Sequence, residues 1–246
     1  MRHPVILSAI FLLFTLANCT SQNEKNNSET IAEENSTPGE IQNNADYTYL
    51  ALGDSYTIGE SVGTDERFPV QLASKLTENG FSVSATKIVA QTGWTTDELA
   101  AAIESSELNK NYDLVTLLIG VNNQFRGRNS EEYRTQFAEL LQTAIDFAGK
   151  ETNVIVISIP DYGVTPFGQD RNPEKIAEEI NIFNQINFEE ALKTDAQYVD
   201  ITGISRKAKN DDSLVASDGL HPSGEMYRLW VEDIFPVAKQ ILENSN

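Results

Sequence analysis

A three-layer αβα sandwich around a five-stranded parallel sheet is the α/β fold that two features of the sequence predict. Short apolar runs alternate with helix-period segments from Tyr47 onward. The third and fourth runs, LVTLLIG and NVIVISI, are nearly continuous in apolar residues, as strands covered on both faces must be. The predicted strands are Tyr47 to Leu52, Phe81 to Val89, Leu114 to Gly120, Asn153 to Ile159 and Ala196 to Ile201. Helical spacing covers Phe68 to Glu78 first. It returns at Thr96 to Ser106, where Thr95 and Glu98 form a capping-box pair. Three longer helices follow: Ser130 to Ala148, one opened by Pro173 that runs to about Lys193, and Ser223 to Glu243. No internal repeat is present. In such sheets ligands bind beyond the carboxyl ends of the strands, where the strand order reverses, so the loops after each strand are the places to look for chemistry.

Three regions divide the chain: residues 1–19, 20–46 and the domain 47–246. Arg2 and His3 precede an apolar run from Val5 to Ala17, too short to span a bilayer and fitting the core of an export signal. The run ends at LANC, which resembles a bacterial lipobox with Cys19 as the lipidated residue. Asn18 departs from the usual small residue there, so an ordinary cleaved signal is the alternative. The expectation is an exported lipoprotein of the bacterial cell envelope, held at a membrane through its N-terminal lipid and otherwise monomeric. Thr20 to Asp46 is rich in Asn, Glu, Ser and Thr and offers almost nothing to bury, so it is read as a disordered tether. A single Cys excludes an internal disulfide, and a formal net charge of −19 opposes binding to nucleic acid or anionic headgroups.

The chain has two His, and His3 falls in the signal, which leaves His221 as the sole imidazole of the domain. It stands three residues after Asp218 in SDGLHPSG. A carboxylate at that spacing in a loop can hold one ring nitrogen while the other faces outward, the base-and-orienter half of a catalytic triad. A surface His in a Pro-Gly turn reads the same way from this stretch alone. Four short blocks coincide with strand ends or the final loop: GDS at Gly53 to Ser55, TGWTT at Thr92 to Thr96, GVNNQFRG at Gly120 to Gly127, and DGLHP at Asp218 to Pro222. A Gly-x-Ser-x-Gly elbow is absent, which argues against the α/β-hydrolase route. Ser84 and Lys87 spell Ser-x-x-Lys, but three positions apart on a strand they point to opposite faces. With one His left and Cys19 lipidated, no metal site and no cofactor are expected.

In this order the four blocks resemble the SGNH, or GDSL, hydrolase superfamily over nearly all of Tyr47 to Glu243. The resemblance is nearest to the bacterial thioesterase and lysophospholipase-like esterases. It implies a flavodoxin-like SGNH fold, a serine esterase acting on small-molecule carboxylic esters, Ser55 as nucleophile with Asp218 and His221, and an oxyanion hole from the Ser55 and Gly93 N–H groups and the Asn122 amide. The residue types suit those roles: Gly leaves an amide unobstructed, and a side-chain amide donates without titrating. The third block of the family usually reads Gly-x-Asn-Asp, whereas Asn123 stands at the Asp position here. Such an amide still accepts a bond from the neighbouring loop but carries no charge. Trp94, Phe125, Tyr162 and Phe167 lie on site-facing loops and either line an acyl pocket or anchor their loops; Arg126 either meets an anionic substrate group or is solvated. A carbohydrate O-acetyl esterase and a non-catalytic surface binding lipoprotein are the competing readings. A single imidazole predicts one ionisation in the acid limb of activity.

Overall fold

The computed structural model describes residues 46–245. The expected signal segment 1–19, Cys19 and all of the tether 20–46 except Asp46 lie outside the described residues.

Five parallel strands form one sheet in the order β2-β1-β3-β4-β5: β1 Tyr47–Gly53, β2 Val83–Ala90, β3 Leu114–Leu118, β4 Val154–Ile157 and β5 Gln197–Val199. Every residue of β3 and β4 is buried, as their unbroken apolar runs require. The edge strand β2 carries the exposed residues Ser84, Ala85 and Lys87. The helices are α1 Ser55–Ile58, α2 Phe68–Glu78, α3 Thr96–Glu104, α4 Val121–Phe125, α5 Ser130–Ala148, α6 Pro166–Gln169, α7 Pro173–Lys193, α8 Thr202–Ser205 and α9 Gly224–Glu243. On the covering layers α2 packs against α9, and α5 packs against α3 and α7. Five helices match the sequence expectation closely, and Glu98 reaches back to accept the Thr95 N–H at 2.9 Å at the start of α3. β3 stops short of the expected Gly120, which takes φ +125° to open α4. β4 starts after the 3-10 turn Glu151–Asn153 and ends at Ile157, two residues short of the expected Ile159, although Ser158 still donates its N–H to the Val199 carbonyl of β5 at 3.0 Å.

The chain runs from β1 outward to β2 and then back across to β3, so the strand order reverses between β1 and β3. Gly53 ends β1 opposite Ala90 of β2 on one side and Leu118 of β3 on the other. Three loops therefore leave the sheet side by side at one level. A Cβ on Gly53 would lie 2.4 Å from the Leu118 carbonyl oxygen and 2.1 Å from Thr57 Oγ1, so only glycine fits where the strand turns into α1.

Candidate active site

The register places Ser55, Gly93 and Asn122 at adjacent strand ends, and the loop before α9 adds Asp218 and His221. Ser55 is the first residue of α1, whose opening N–H groups have no partner within the helix. Asp54 caps that helix, its Oδ1 accepting the Tyr56 N–H at 3.1 Å. Ser55 Oγ has no hydrogen-bond partner among the described residues, yet it is not enclosed. Its bond to His221 is thus unmade here, a looseness common in catalytic sites without substrate.

Asp218 and His221 do meet. Asp218 Oδ2 lies 2.6 Å from His221 Nδ1, while Oδ1 accepts the N–H groups of Leu220 at 2.9 Å and His221 at 3.0 Å. Burial pushes the Asp218 carboxyl up, but the bonds from the His221 ring, the Ser61 hydroxyl and the two N–H groups outweigh it and hold the group well below the usual carboxylate range. The imidazole is buried, with the Tyr56 ring edge-on at 5.8 Å between centroids and Trp230 behind Tyr56 at 6.2 Å. Aromatic packing and the carboxylate together fix the ring plane.

Gly93 has φ +92°, a conformation that side-chain-bearing residues rarely adopt, and its N–H has no partner among the described residues. The Asn122 amide donates one hydrogen to the Trp94 carbonyl at 2.9 Å, which orients the group and leaves a second N–H. Asn123 is buried and spends both ends of its amide on Thr96: Oδ1 accepts the Thr96 N–H at 3.1 Å, and Nδ2 donates to Thr96 Oγ1 at 2.7 Å. Thr96 Oγ1 in turn donates to Gln136 Oε1. A neutral donor-acceptor pair serves this chain of bonds, and a carboxylate at Asn123 would supply no proton to the Thr96 hydroxyl.

These residues border one open cleft of about 160 Å³, lined by Ser55, Gly93, Asn122, Phe125, Phe167 and His221 among others. Phe125 and Phe167 stand 6.2 Å apart with Tyr162 against both, and the Arg171 guanidinium lies 3.6 Å from the Phe167 centroid. The predicted pocket residues thus divide. Phe125, Tyr162 and Phe167 line the cleft; Trp94 and Arg126 do not. Trp94 packs against the core, and Arg126 is occupied by the Gly93 carbonyl at 2.7 Å and Glu98 at 3.1 Å. Of the readings the sequence left open for these two side chains, the geometry favours anchoring for Trp94, and Arg126 braces the Gly93 loop.

This arrangement has the layout of a hydrolytic site, and a protein-family model described as the GDSL-like Lipase/Acylhydrolase family matches residues 51–229. The chain belongs to this family. The GDSL-like hydrolase shares its fold with several solved structures. One is TesA, 19% identical with a TM-score of 0.62, the match covering 79% of this chain and 99% of that one. Another is the psychrotrophic esterase EstA from Pseudoalteromonas sp., in a form inhibited by monoethylphosphonate, 18% identical with a TM-score of 0.59 over 81% of this chain and 100% of that one. A third is Axe2, an acetylxylan esterase from Geobacillus stearothermophilus, 18% identical with a TM-score of 0.59 over 78% and 94%. At these identities the likeness shows the fold. Comparison with curated proteins found no match.

Sequence reasoning passed over Asp54. Its carboxyl is wholly buried, Oδ2 has no partner, and burial pushes the group up to about 7 against the offsetting N–H bonds of Tyr56 and Asp54 itself. Burial raising this carboxyl to about 7 makes it a second group, next to Ser55, whose ionisation an acid limb of activity can report beside that of the imidazole. The sign for stability follows. At low pH both native and unfolded chains carry the proton; as pH rises from the unfolded value of 3.8 toward 7 only the native group keeps it, and stability falls. Above that window the penalty is complete, on the order of 4 kcal/mol. Asp54→Asn keeps a cap acceptor and removes the penalty, so its Tm should exceed the parent's at about pH 8 by on the order of 10 °C and converge with it near pH 4. An equal gain at both pH values would contradict a raised Asp54.

Proposed function

We propose that the protein is a serine esterase that cleaves carboxylic esters through an acyl-enzyme, with a preference for apolar acyl groups of the lysophospholipase or short-acyl type. The observation that carries this reading is the convergence of Ser55, Gly93, Asn122 and a carboxylate-bound His221 on one cleft with phenyl walls. In the mechanism Ser55 Oγ attacks the ester carbonyl as His221 Nε2 takes its proton, and Asp218 fixes the ring tautomer and stabilises the imidazolium. The oxyanion receives the N–H groups of Ser55 and Gly93 and the free N–H of Asn122, each donor of this kind being worth about 10²–10³ in kcat. His221 then protonates the departing alkoxide. Water, deprotonated by the same imidazole, releases the acid from Ser55.

An export signal and lipid anchor at Cys19 belong to the same proposal and rest on the LANC motif. Among the described residues no helix is long and apolar enough to cross a membrane.

Substrate class is tested by kcat/KM for soluble esters graded from acetyl to lauroyl, beside a lysophospholipid and an acetylated xylo-oligosaccharide. The phenyl-walled cleft predicts that kcat/KM rises from acetyl to medium chains, by roughly tenfold for each two methylenes buried, until the cleft is full. Highest turnover on the acetylated sugar, with no gain from longer acyl chains, would favour a carbohydrate O-acetyl esterase instead.

A further inference from the structure

The loop between α1 and α2 reaches both halves of the site through consecutive residues. Ser61 donates its hydroxyl to Asp218 Oδ2 at 2.7 Å, the same oxygen that faces His221 Nδ1, across 157 residues of sequence. Its neighbour Glu60 accepts a hydrogen bond from Thr92, which borders the cleft beside Gly93. The loop is fixed to the nucleophile, since the N–H groups of Gly59 and Glu60 both donate to the Ser55 carbonyl at 3.0 Å. Ser61 itself has φ 67°, in the left-handed region where a serine is uncommon and glycine is at ease. A backbone strained at an exposed position, with its side chain spent on a carboxylate of the site, calls for a functional reason.

We propose that Ser61 is a positioning residue of the hydrolytic site, whose hydroxyl holds the Asp218 carboxylate in plane and takes up part of its charge, setting how strongly that acid supports a protonated His221. The inference rests on the triad reading given above. With Ser61 in place each Asp218 oxygen has two partners: Oδ1 the two N–H groups, Oδ2 the imidazole and the hydroxyl. The carboxylate is then fully committed and cannot rotate without losing bonds. Removing the hydroxyl leaves Oδ2 to the imidazole alone, so its negative charge acts on the ring undivided. Imidazolium gains, and the proton comes off at higher pH. Other ionisable groups around the pair are Tyr56 on α1, Tyr162 after β4 and Tyr227 on α9, all held neutral by burial, with Asp54, Glu60 and Arg67 nearby. None of them replaces the Ser61 bond.

Ser61→Gly separates the two roles, because it removes the hydroxyl and relieves the backbone at once. Full-length protein is titrated by NMR through the His221 ring proton, assigned by its loss in His221→Asn, and kcat/KM for a soluble ester is measured in parallel. The expected result is a His221 midpoint raised by about half a pH unit, a several-fold fall in kcat/KM near pH 6, and a Tm no lower than the parent's. An unmoved imidazole overturns the proposal, whether or not kcat/KM falls, since a loosened loop alone would not shift the ring. Ser55→Ala run beside it keeps the two inferences apart. Persistent hydrolysis in that variant defeats the triad reading; its loss, with an unmoved imidazole in Ser61→Gly, defeats only the role of Ser61.

Discussion

Ser55→Ala is expected to lower kcat for a soluble carboxylic ester by about six orders of magnitude, the loss typical when the nucleophile of a cooperating triad is removed. Such a fall is larger than any packing change at this position explains. Ser55 Oγ holds no hydrogen bond among the described residues, so its loss orphans no partner and leaves the cap from Asp54 to Tyr56 in place. Thermal unfolding should accordingly stay within about 0.5 kcal/mol of the parent. The N–H groups of Gly93 and Asn122 remain, and under the proposed mechanism they leave a residual rate above the uncatalysed reaction. Near-parental hydrolysis by the purified variant, measured as burst and steady state on one substrate, would remove Ser55 from the chemistry.

Asp218→Asn should cost about four orders of magnitude in kcat, because an amide cannot fix the imidazole tautomer that the carboxylate fixes. The local geometry makes this substitution severe. Asp218 accepts four hydrogen bonds, and whichever way the new amide is turned, its NH₂ faces either the His221 ring and Ser61 or the two N–H groups of Leu220 and His221. Loss of the negative charge also withdraws support from imidazolium, so the acid limb of kcat/KM between about pH 4 and 9 should move to lower pH. Repeating the comparison in Asp54→Asn keeps the raised Asp54 carboxyl out of that limb. A limb of unchanged position in a still-active Asp218 variant would mean that another carboxylate partners His221.

Apolar runs were enough to find β3 and β4, because strands buried on both faces leave no room for polar residues, and the five long helices were legible from their caps and spacing. The short helices α1, α4, α6 and α8 were not, since four or five residues carry no periodicity to read. Blocks at the strand ends pointed to Ser55, Gly93, Asn122 and the Asp218–His221 pair, which the fold gathers at one cleft or, for Asp218, behind it. Arg126 and Trp94 shared those loops, but a position on a loop does not say which way a side chain turns. Asp54 and Ser61 were invisible for a different reason. Complete burial of a carboxyl beside Ser55, and a serine at positive φ whose partner is 157 residues away, are properties of the assembled structure and leave no local pattern.

The most direct measurement is mass spectrometry of the protein after reaction with a fluorophosphonate ester, with peptide mapping of the adduct. A serine activated by His221 and facing oxyanion donors attacks phosphorus as it would a carbonyl and keeps the phosphonyl group. The predicted result is one phosphonyl group per chain, on Ser55, formed with simultaneous loss of ester hydrolysis and slowed by orders of magnitude in His221→Asn. An adduct on any other residue, or an unlabelled Ser55 in a protein that hydrolyses esters at its full rate, would contradict the assignment of this cleft as a serine esterase site.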